Sequence, residues 1–176
     1  MITKNFKHLL AMVLLNNGSQ ATPAYLPVTT MNGTTQYIGG RMYFPGTVTY
    51  SVSTSSSSTG IHLGTGDTAP TENDYALESK ISSGITASTP TRQYNKDNNG
   101  NPYLTLMFTV TNTTSSDIIV KEIGFVQSAY LATNMGSSQS SNGTHILLDR
   151  TILSQPVTIP ANDSAAIKYT LKVDVT

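Results

Sequence analysis

The 176-residue sequence contains no cysteine and no tryptophan, and only 11% of its residues are charged. The lack of cysteine excludes disulfide bonds, thiol nucleophiles and cysteine-ligated zinc. The formal net charge is zero, so the chain lacks the basic excess that neutralises nucleic-acid phosphates. No apolar run approaches the roughly 18 residues of a membrane-spanning helix. We therefore expect no nucleic-acid partner and no membrane partner.

The residues that are plentiful favour a β-rich domain. Serine and threonine make up about a quarter of the chain and supply a polar surface without charge. Tyrosine is the commonest aromatic residue, with 9 copies against 4 of phenylalanine, and it suits half-buried strand positions. The length is sufficient for one well-buried domain and short for two.

Alternation of apolar and polar residues predicts many short strands. The clearest is 103–112, in which Leu104, Leu106, Phe108 and Val110 share one face. Further strands are predicted at 36–43, 47–54, 60–63, 81–88, 91–94, 118–126, 145–153, 157–159 and 165–175. This spacing is typical of an all-β fold, an antiparallel β-sandwich of immunoglobulin-like or jelly-roll-like type.

The first residues predict a short amphipathic α-helix, capped by Thr3. Its apolar positions follow the i, i+3, i+4, i+7, i+8 spacing of one helix face and are Phe6, Leu9, Leu10, Val13 and Leu14. The same stretch has some features of a secretory signal, but its apolar run is at the short limit, and we expect the helix.

The segment after the helix is rich in proline and threonine, which favours an extended path. We therefore divide the chain into an N-terminal helix and docking arm, 1–35, and a sandwich domain, 36–176. An exposed apolar helix face must be buried against something. The predicted assembly interface comprises the helix face together with Tyr25 and Leu26.

The stretch from Gly64 onward has the residues of tight turns and helix caps rather than of a ligand loop. Gly64 and Gly66 lack the third glycine and the helix of a dinucleotide-binding loop, so they indicate a turn. Thr71 and Asp74 have the spacing of a capping box. Asp67 fits a turn role, and Gly124 a structural role in a later strand.

A metal site and a catalytic site are the two alternatives to these structural roles. The acidic residues Asp67, Glu72, Asp74 and Glu78 could supply oxygen ligands to a hard cation, but their spacing matches no standard calcium loop. No serine lies in a nucleophile elbow. The histidines show no zinc-helix spacing and are His8, His62 and His145. We expect no metal, no cofactor and no enzymatic activity.

Two pairs of adjacent opposite charges lie inside predicted strands. They are Lys121-Glu122 and Asp149-Arg150. The first interpretation is that these are edge or solvent-face charges that discourage uncontrolled strand pairing. The alternative is an ion pair across a contact between subunits.

Several of these residues recur in a set of motifs that resembles a known family. The motifs, in chain order, are Gly64-Thr-Gly-Asp-Thr-Ala-Pro-Thr71, Tyr75-Ala-Leu-Glu78, Lys121-Glu-Ile-Gly124, Leu148-Asp-Arg-Thr-Ile-Leu153, Val157-Thr-Ile-Pro-Ala161 and Tyr169-Thr-Leu171. As a set they resemble small virion structural proteins of tailed bacteriophages, over about residues 61–175.

This resemblance implies a β-sandwich present in many copies in the head-accessory, neck or tail region of a particle. It implies a homo-oligomer that contacts other virion proteins, located in the virion and assembled in the host cytoplasm. Two alternatives stay open. One is a host-surface or carbohydrate-binding module presenting Tyr130, Met135 and the serine-rich loops. The other is a secreted bacterial adhesin-like or pilus-like subunit with a processed N-terminus.

Overall fold

The structure is a computed structural model that describes residues 1–8, 25–39, 51–54, 59–129 and 144–172. Residues 4–8 form a short helix, α1. Nine strands follow, and their bounds are β1 Tyr25–Thr29, β2 Thr35–Gly39, β3 Gly60–Gly64, β4 Ile85–Ala87, β5 Thr91–Lys96, β6 Pro102–Asn112, β7 Ile118–Ala129, β8 Thr144–Ile159 and β9 Ser164–Lys172. No helix in these ranges is long and apolar enough to cross a membrane.

The strands form two larger antiparallel sheets and one hairpin. The first sheet has the order β3-β7-β8. In the second sheet β6 is central, with β9 on one side and with β5 and β4 end to end on the other. β1 and β2 form the separate hairpin.

A single apolar core joins the two sheets. Its buried residues come from β3, β7 and β8 of the first sheet and from β4, β6 and β9 of the second, with Val28 added from β1. Two sheets that bury their facing sides against each other form a β-sandwich. The structure therefore confirms the predicted all-β, antiparallel sandwich with a short N-terminal α-helix.

The strands with one buried face follow the sequence pattern. In β6, Leu106, Phe108 and Val110 are buried, and Leu104 packs partly buried against the same core. In β9, Ile167 and Tyr169 are buried, and the residues between them are exposed.

β8 differs from the prediction because it is one strand of 16 residues rather than two shorter ones. Its register with β7 shifts between Val120 and Glu122, where a β-bulge or irregularity interrupts the ladder. Pro156 lies in this stretch, before Val157 resumes pairing with Val120. A proline is tolerated in a strand where the regular ladder is interrupted.

The N-terminal residues belong to the sandwich. Ile2 pairs with Asp149 of β8, and the Thr3 amide donates to the Leu148 carbonyl oxygen at 3.0 Å. The Thr3 hydroxyl also donates to the Leu147 carbonyl oxygen at 2.7 Å. Residues 1–3 thus add a short strand to β8, and Phe6 packs against the core.

This placement corrects the predicted docking arm at residues 1–35. Phe6 and Leu26, predicted to face a neighbouring subunit, pack partly buried against the core of their own chain. The predicted boundary between residues 35 and 36 cuts the β1–β2 hairpin at the first residues of β2. The extended path was predicted correctly for 25–29, but its backbone pairs within the chain.

Some predictions fall outside the described residues. For Tyr25 the structure gives the backbone position in β1 and nothing of its side chain. The others are the helix-face residues Leu9, Leu10, Val13 and Leu14, residues 40–43, 47–50 and 173–175 of the predicted strands, and the loop residues Tyr130 and Met135.

Candidate functional site

The motif residues meet on the outer face of the β3-β7-β8 sheet, opposite to the apolar core. β7 pairs with β3 so that Gly64 lies opposite Glu122 and His62 lies opposite Gly124. β7 pairs with β8 so that Gly124 lies opposite Arg150. Alternate residues of a strand share a face, so Glu122, Gly124 and Arg150 all lie on this outer side. The segment 65–80 packs across them.

Arg150 is the centre of this arrangement and is 3% exposed. Its Nε donates to Oε2 of Glu122 at 2.8 Å, and its Nη1 donates to Oδ2 of Asp74 at 2.8 Å. Its Nη2 lies 3.5 Å from Oε2 of Glu78 and 3.4 Å from Oγ1 of Thr68. One guanidinium therefore joins Glu122 of β7 to three residues of the covering segment.

Glu122 is fully buried, and its carboxylate accepts backbone hydrogen bonds besides the one from Arg150. The donors are the amides of Ser79 at 2.8 Å, of Gly66 at 3.2 Å and of Glu78 at 3.2 Å. A buried charge is stable when it is paired and its oxygens are hydrogen-bonded. Glu122 meets both conditions and holds the two ends of segment 65–80 against β7.

Asp74 and Glu78 fold the covering segment as well as binding Arg150. Asp74 accepts from the Thr71 amide at 3.0 Å and from the Thr71 hydroxyl at 2.7 Å. Burial raises the pKa of Asp74, but the hydrogen bonds from Arg150 and Thr71 outweigh it, so the pKa lies below its ordinary value. Hydrogen bonds from the Thr68 amide and hydroxyl lower the pKa of Glu78.

The glycines of the motifs are needed for close approach. A Cβ atom at Gly66 would lie 2.6 Å from the Cβ of Glu78 and 2.7 Å from Oε1 of Glu122. A Cβ at Gly64 would lie 2.7 Å from the Cγ of Glu122. At Gly124 it would overlap Leu77, which packs onto β7 there. The predicted turn role of Gly64 and Gly66 is therefore incomplete, since their missing side chains make room for the carboxylates.

Asp149, the neighbour of Arg150, lies on the opposite face of β8 because alternate residues point to opposite sides. It accepts a hydrogen bond from the Tyr169 hydroxyl and lies 3.1 Å from the Met1 ammonium group. Burial and the nearby Asp149 carboxylate raise the pKa of Tyr169 well above its ordinary value.

The interpretation of the strand charges as edge or solvent-face charges was wrong for three of the four. Glu122, Asp149 and Arg150 are all buried. Lys121 pairs with Asp67 of its own chain at 2.8 Å, so Asp67 serves as an ion-pair partner beside its predicted turn. The alternative, ion pairing between subunits, does not fit these residues because their partners are within the chain.

The four acidic residues weighed as metal ligands each bind a cation of the protein. Asp74 and Glu78 bind Arg150, Asp67 binds Lys121, and Glu72 binds Lys7 at 2.6 Å. In the described ranges, no group of three or more histidine, cysteine or acidic residues has an arrangement that could hold a metal ion.

The predicted structural residues Thr71 and Asp74 form the hydrogen-bonded turn expected of them, although 71–74 is a turn and not a helix. The histidines lie on separate elements: His8 contacts the Pro27 carbonyl oxygen from α1, His62 is buried in β3, and His145 is half-buried in β8. Burial and the nearby Lys80 lower the pKa of His145.

A cleft of about 230 Å³ lies between α1, β1 and the 72–74 turn. Two of its acidic residues, Glu72 and Asp74, are already bound to Lys7 and Arg150. The acidic side chains of the cleft therefore already stabilise the fold through these ion pairs.

Comparison of the chain with protein-family models, with curated proteins and with solved structures finds no match.

Proposed function

We propose that the protein is a non-enzymatic structural component of a tailed-bacteriophage virion, present in many copies in the head–tail connector or neck, the tail or the capsid surface. The motif set of residues 61–175 suggests the family. The observation that supports a structural role is what the motif residues bind. Arg150 binds the carboxylates of Asp74, Glu78 and Glu122, and these contacts hold segment 65–80 on the β3-β7-β8 sheet.

These four residues form an ion-pair centre around the buried guanidinium of Arg150. Such a centre suits an assembly component because it makes one face of the sandwich rigid. The covering segment 65–80 carries few apolar residues of its own to bury, and Leu77 is the main one. Charged hydrogen bonds to Glu122 and Arg150 hold it in a defined position instead. A module with preorganised surfaces loses less conformational entropy when copies associate.

Phe6 and Leu26 are partly buried within the chain, so only their exposed parts are open to a contact between copies. The apolar helix-face residues at 9–14 remain a predicted interface.

The test is the location of the protein in a phage lysate. An antiserum raised against the purified protein is applied to density-gradient fractions of particles from the host that carries the gene. We expect the protein to sediment with intact particles, at several copies per particle by quantitative mass spectrometry, and gold label to mark one fixed region in electron micrographs. Intact particles that lack the protein while it stays in the soluble fraction would contradict the proposal.

A further inference from the structure

One strand of the sandwich contributes no buried residue. All six residues of β5, Thr91–Lys96, are exposed on both faces. Ordering a backbone segment has an entropy cost, which the burial of its side chains normally offsets. Among the described strands, β5 pairs with β6 and lies at the edge of the sheet. β5 therefore adds no buried side chain to the core and presents its side chains at the surface.

The tip of the β5–β6 hairpin is made rigid by Asp97. Its carboxylate accepts from the amides of Asn99 and Asn101, each at 2.9 Å, and lies 2.9 Å from Nζ of Lys172 in β9. The tight turn contains Gly100, with a φ of 83°, a conformation that glycine adopts without strain. β5 is thus a preformed strand whose shape does not depend on covering residues.

The face of β5 that continues the core side is cationic and aromatic. Arg92, Tyr94 and Lys96 alternate along this face, opposite Leu106, Leu104 and Pro102 of β6. Tyr94 is 69% exposed, the largest value among the exposed large apolar and aromatic residues. The strand carries no acidic residue. At alternate positions, a partner strand beside β5 would meet the Arg92 guanidinium, the Tyr94 ring and the Lys96 ammonium group.

These charges disfavour a second copy of β5 as the partner. Antiparallel self-pairing centred on Tyr94 would set Arg92 opposite Lys96 of the other copy, at both ends. Like charges directly opposite each other across strands are destabilising. Charged residues on edge strands are a known means of preventing uncontrolled association of sheets.

We propose that β5 is a docking edge for an extended acidic segment of another protein, which adds to the sheet as a strand. The segment carries a carboxylate, an apolar residue and a carboxylate at alternate positions, matching Arg92, Tyr94 and Lys96. Backbone hydrogen bonds supply the pairing, and the alternate side chains supply the selectivity. Cross-strand pairs of opposite charge and aromatic–aliphatic pairs both stabilise such an arrangement.

The probe is a blocked peptide, Thr-Glu-Thr-Val-Thr-Glu-Thr, titrated into the ¹⁵N-labelled protein and followed by NMR. We expect saturable shifts of the β5 amides with this peptide and none with the peptide that has lysine in place of glutamate. The double variant Arg92→Glu and Lys96→Glu should weaken binding of the acidic peptide about tenfold or more. All six residues of β5 are exposed, so we expect this variant to keep the fold, which its ¹⁵N spectrum outside β5 checks.

A matched control carries the same charge change elsewhere. Lys4→Glu with Lys168→Glu alters two exposed lysines outside β5 and should leave the affinity within about twofold of the parent. A peptide N-methylated on the backbone edge that faces β5 should not bind, because strand addition needs its amide donors.

Equal binding to the Arg92→Glu, Lys96→Glu variant, or full binding of the N-methylated peptide, would overturn the proposal. So would a dimer of the parent protein, measured by light scattering, that the same double variant abolishes or that blocks the peptide shifts. The titration uses purified protein and no particle, so its outcome is separate from that of the virion experiment.

Discussion

Arg150 has four hydrogen-bonding partners on the outer sheet face, and burying its charge there is costly. Removing the guanidinium, the Glu122 carboxylate and much of the Asp74 carboxylate from water is unfavourable, and their attraction offsets this only when hydrogen bonds are well formed. Here three of the nitrogen atoms of Arg150 reach Glu122, Asp74 and Glu78. The three carboxylates outnumber the one guanidinium, and backbone amides of the covering segment balance the excess negative charge.

Replacing Arg150 with methionine should destabilise the protein strongly. The substitution keeps much of the side-chain volume but leaves Glu122 buried without its cation, which costs about 3–5 kcal/mol in the free energy of unfolding. Urea denaturation followed by far-UV circular dichroism measures the change. Adding Glu122→Gln to Arg150→Met should recover part of the loss, because the uncompensated charge is then removed.

The matched control is Lys121→Gln, which removes the neighbouring ion pair with Asp67. That pair is solvent-exposed, so the loss should be too small to resolve in the same titration. If Arg150→Met proves no more destabilising than Lys121→Gln, the centre does not hold the covering segment.

Acid should weaken the β5–β6 turn through Asp97. Its pKa is lowered to about 2, first by the hydrogen bond from Lys172, so its contribution to stability is present above the ordinary value of 3.8. This contribution is lost as the pH falls from about 4 to about 2. NMR titration of the Asp97 carboxyl carbon should show the low pKa in the parent and a higher one in Lys172→Met. An unchanged pKa in that variant would contradict the assigned cause.

At the scale of the element, periodicity predicted the strands that bury one face. β6 and β9 alternate in sequence and in burial, because each has the core on one side and solvent on the other. β7 is different: it is buried from Glu122 to Gln127 on both faces, so charge inside the strand does not mark a solvent side.

The segment that contains β1 was predicted as part of a docking arm. It is rich in proline and threonine and shows no alternation of apolar and polar residues that would distinguish a strand packed on a sheet from an exposed one. The contact that places it is long-range: Asn5 donates to the Thr29 carbonyl oxygen at 2.6 Å, and Val28 enters the core. Sequence spacing within the first 35 residues does not encode such a contact.

The packing of the N-terminal segment gives a direct prediction. Phe6→Ala should lower the free energy of unfolding by about 1–3 kcal/mol, less than the roughly 3–5 of a fully buried phenylalanine, because Phe6 is only partly buried. Chemical denaturation measures it, with Lys4→Ala on the exposed side of the same helix as control. A stability equal to that of the control, together with loss of association, would restore the docking role.

At the scale of the whole molecule, the two sheets share the main apolar core, and the other apolar cluster of the described residues is small, with Leu77, Val126 and Leu147 buried in it. We expect one cooperative unfolding transition. The near-UV signal of the tyrosines and the far-UV signal of the strands should change at the same urea concentration. Two separated transitions would mean that the sheets unfold independently.

The residues of the centre could be selected from the sequence, but their partners could not. Thr71 and Asp74 are three apart, and their turn follows from local spacing. Glu122 and Arg150 meet because β7 and β8 pair in a particular register, and Asp74 reaches them only when 65–80 crosses the sheet. The available signal was charge inside two apolar strand sequences, 118–126 and 145–153, which are more apolar than solvent-facing strands usually are.

The wide separation in sequence of the groups bound to Arg150 has a consequence for gene exchange. Asp74 and Glu78 lie well before Glu122, and Arg150 lies well after it, so a hybrid chain joined anywhere between Glu78 and Arg150 takes the guanidinium from one parent and some of its carboxylates from the other. Such hybrids keep the fold only where both parents carry the same set. Junctions before Gly64 or after Arg150 leave this set of contacts within one parent's sequence.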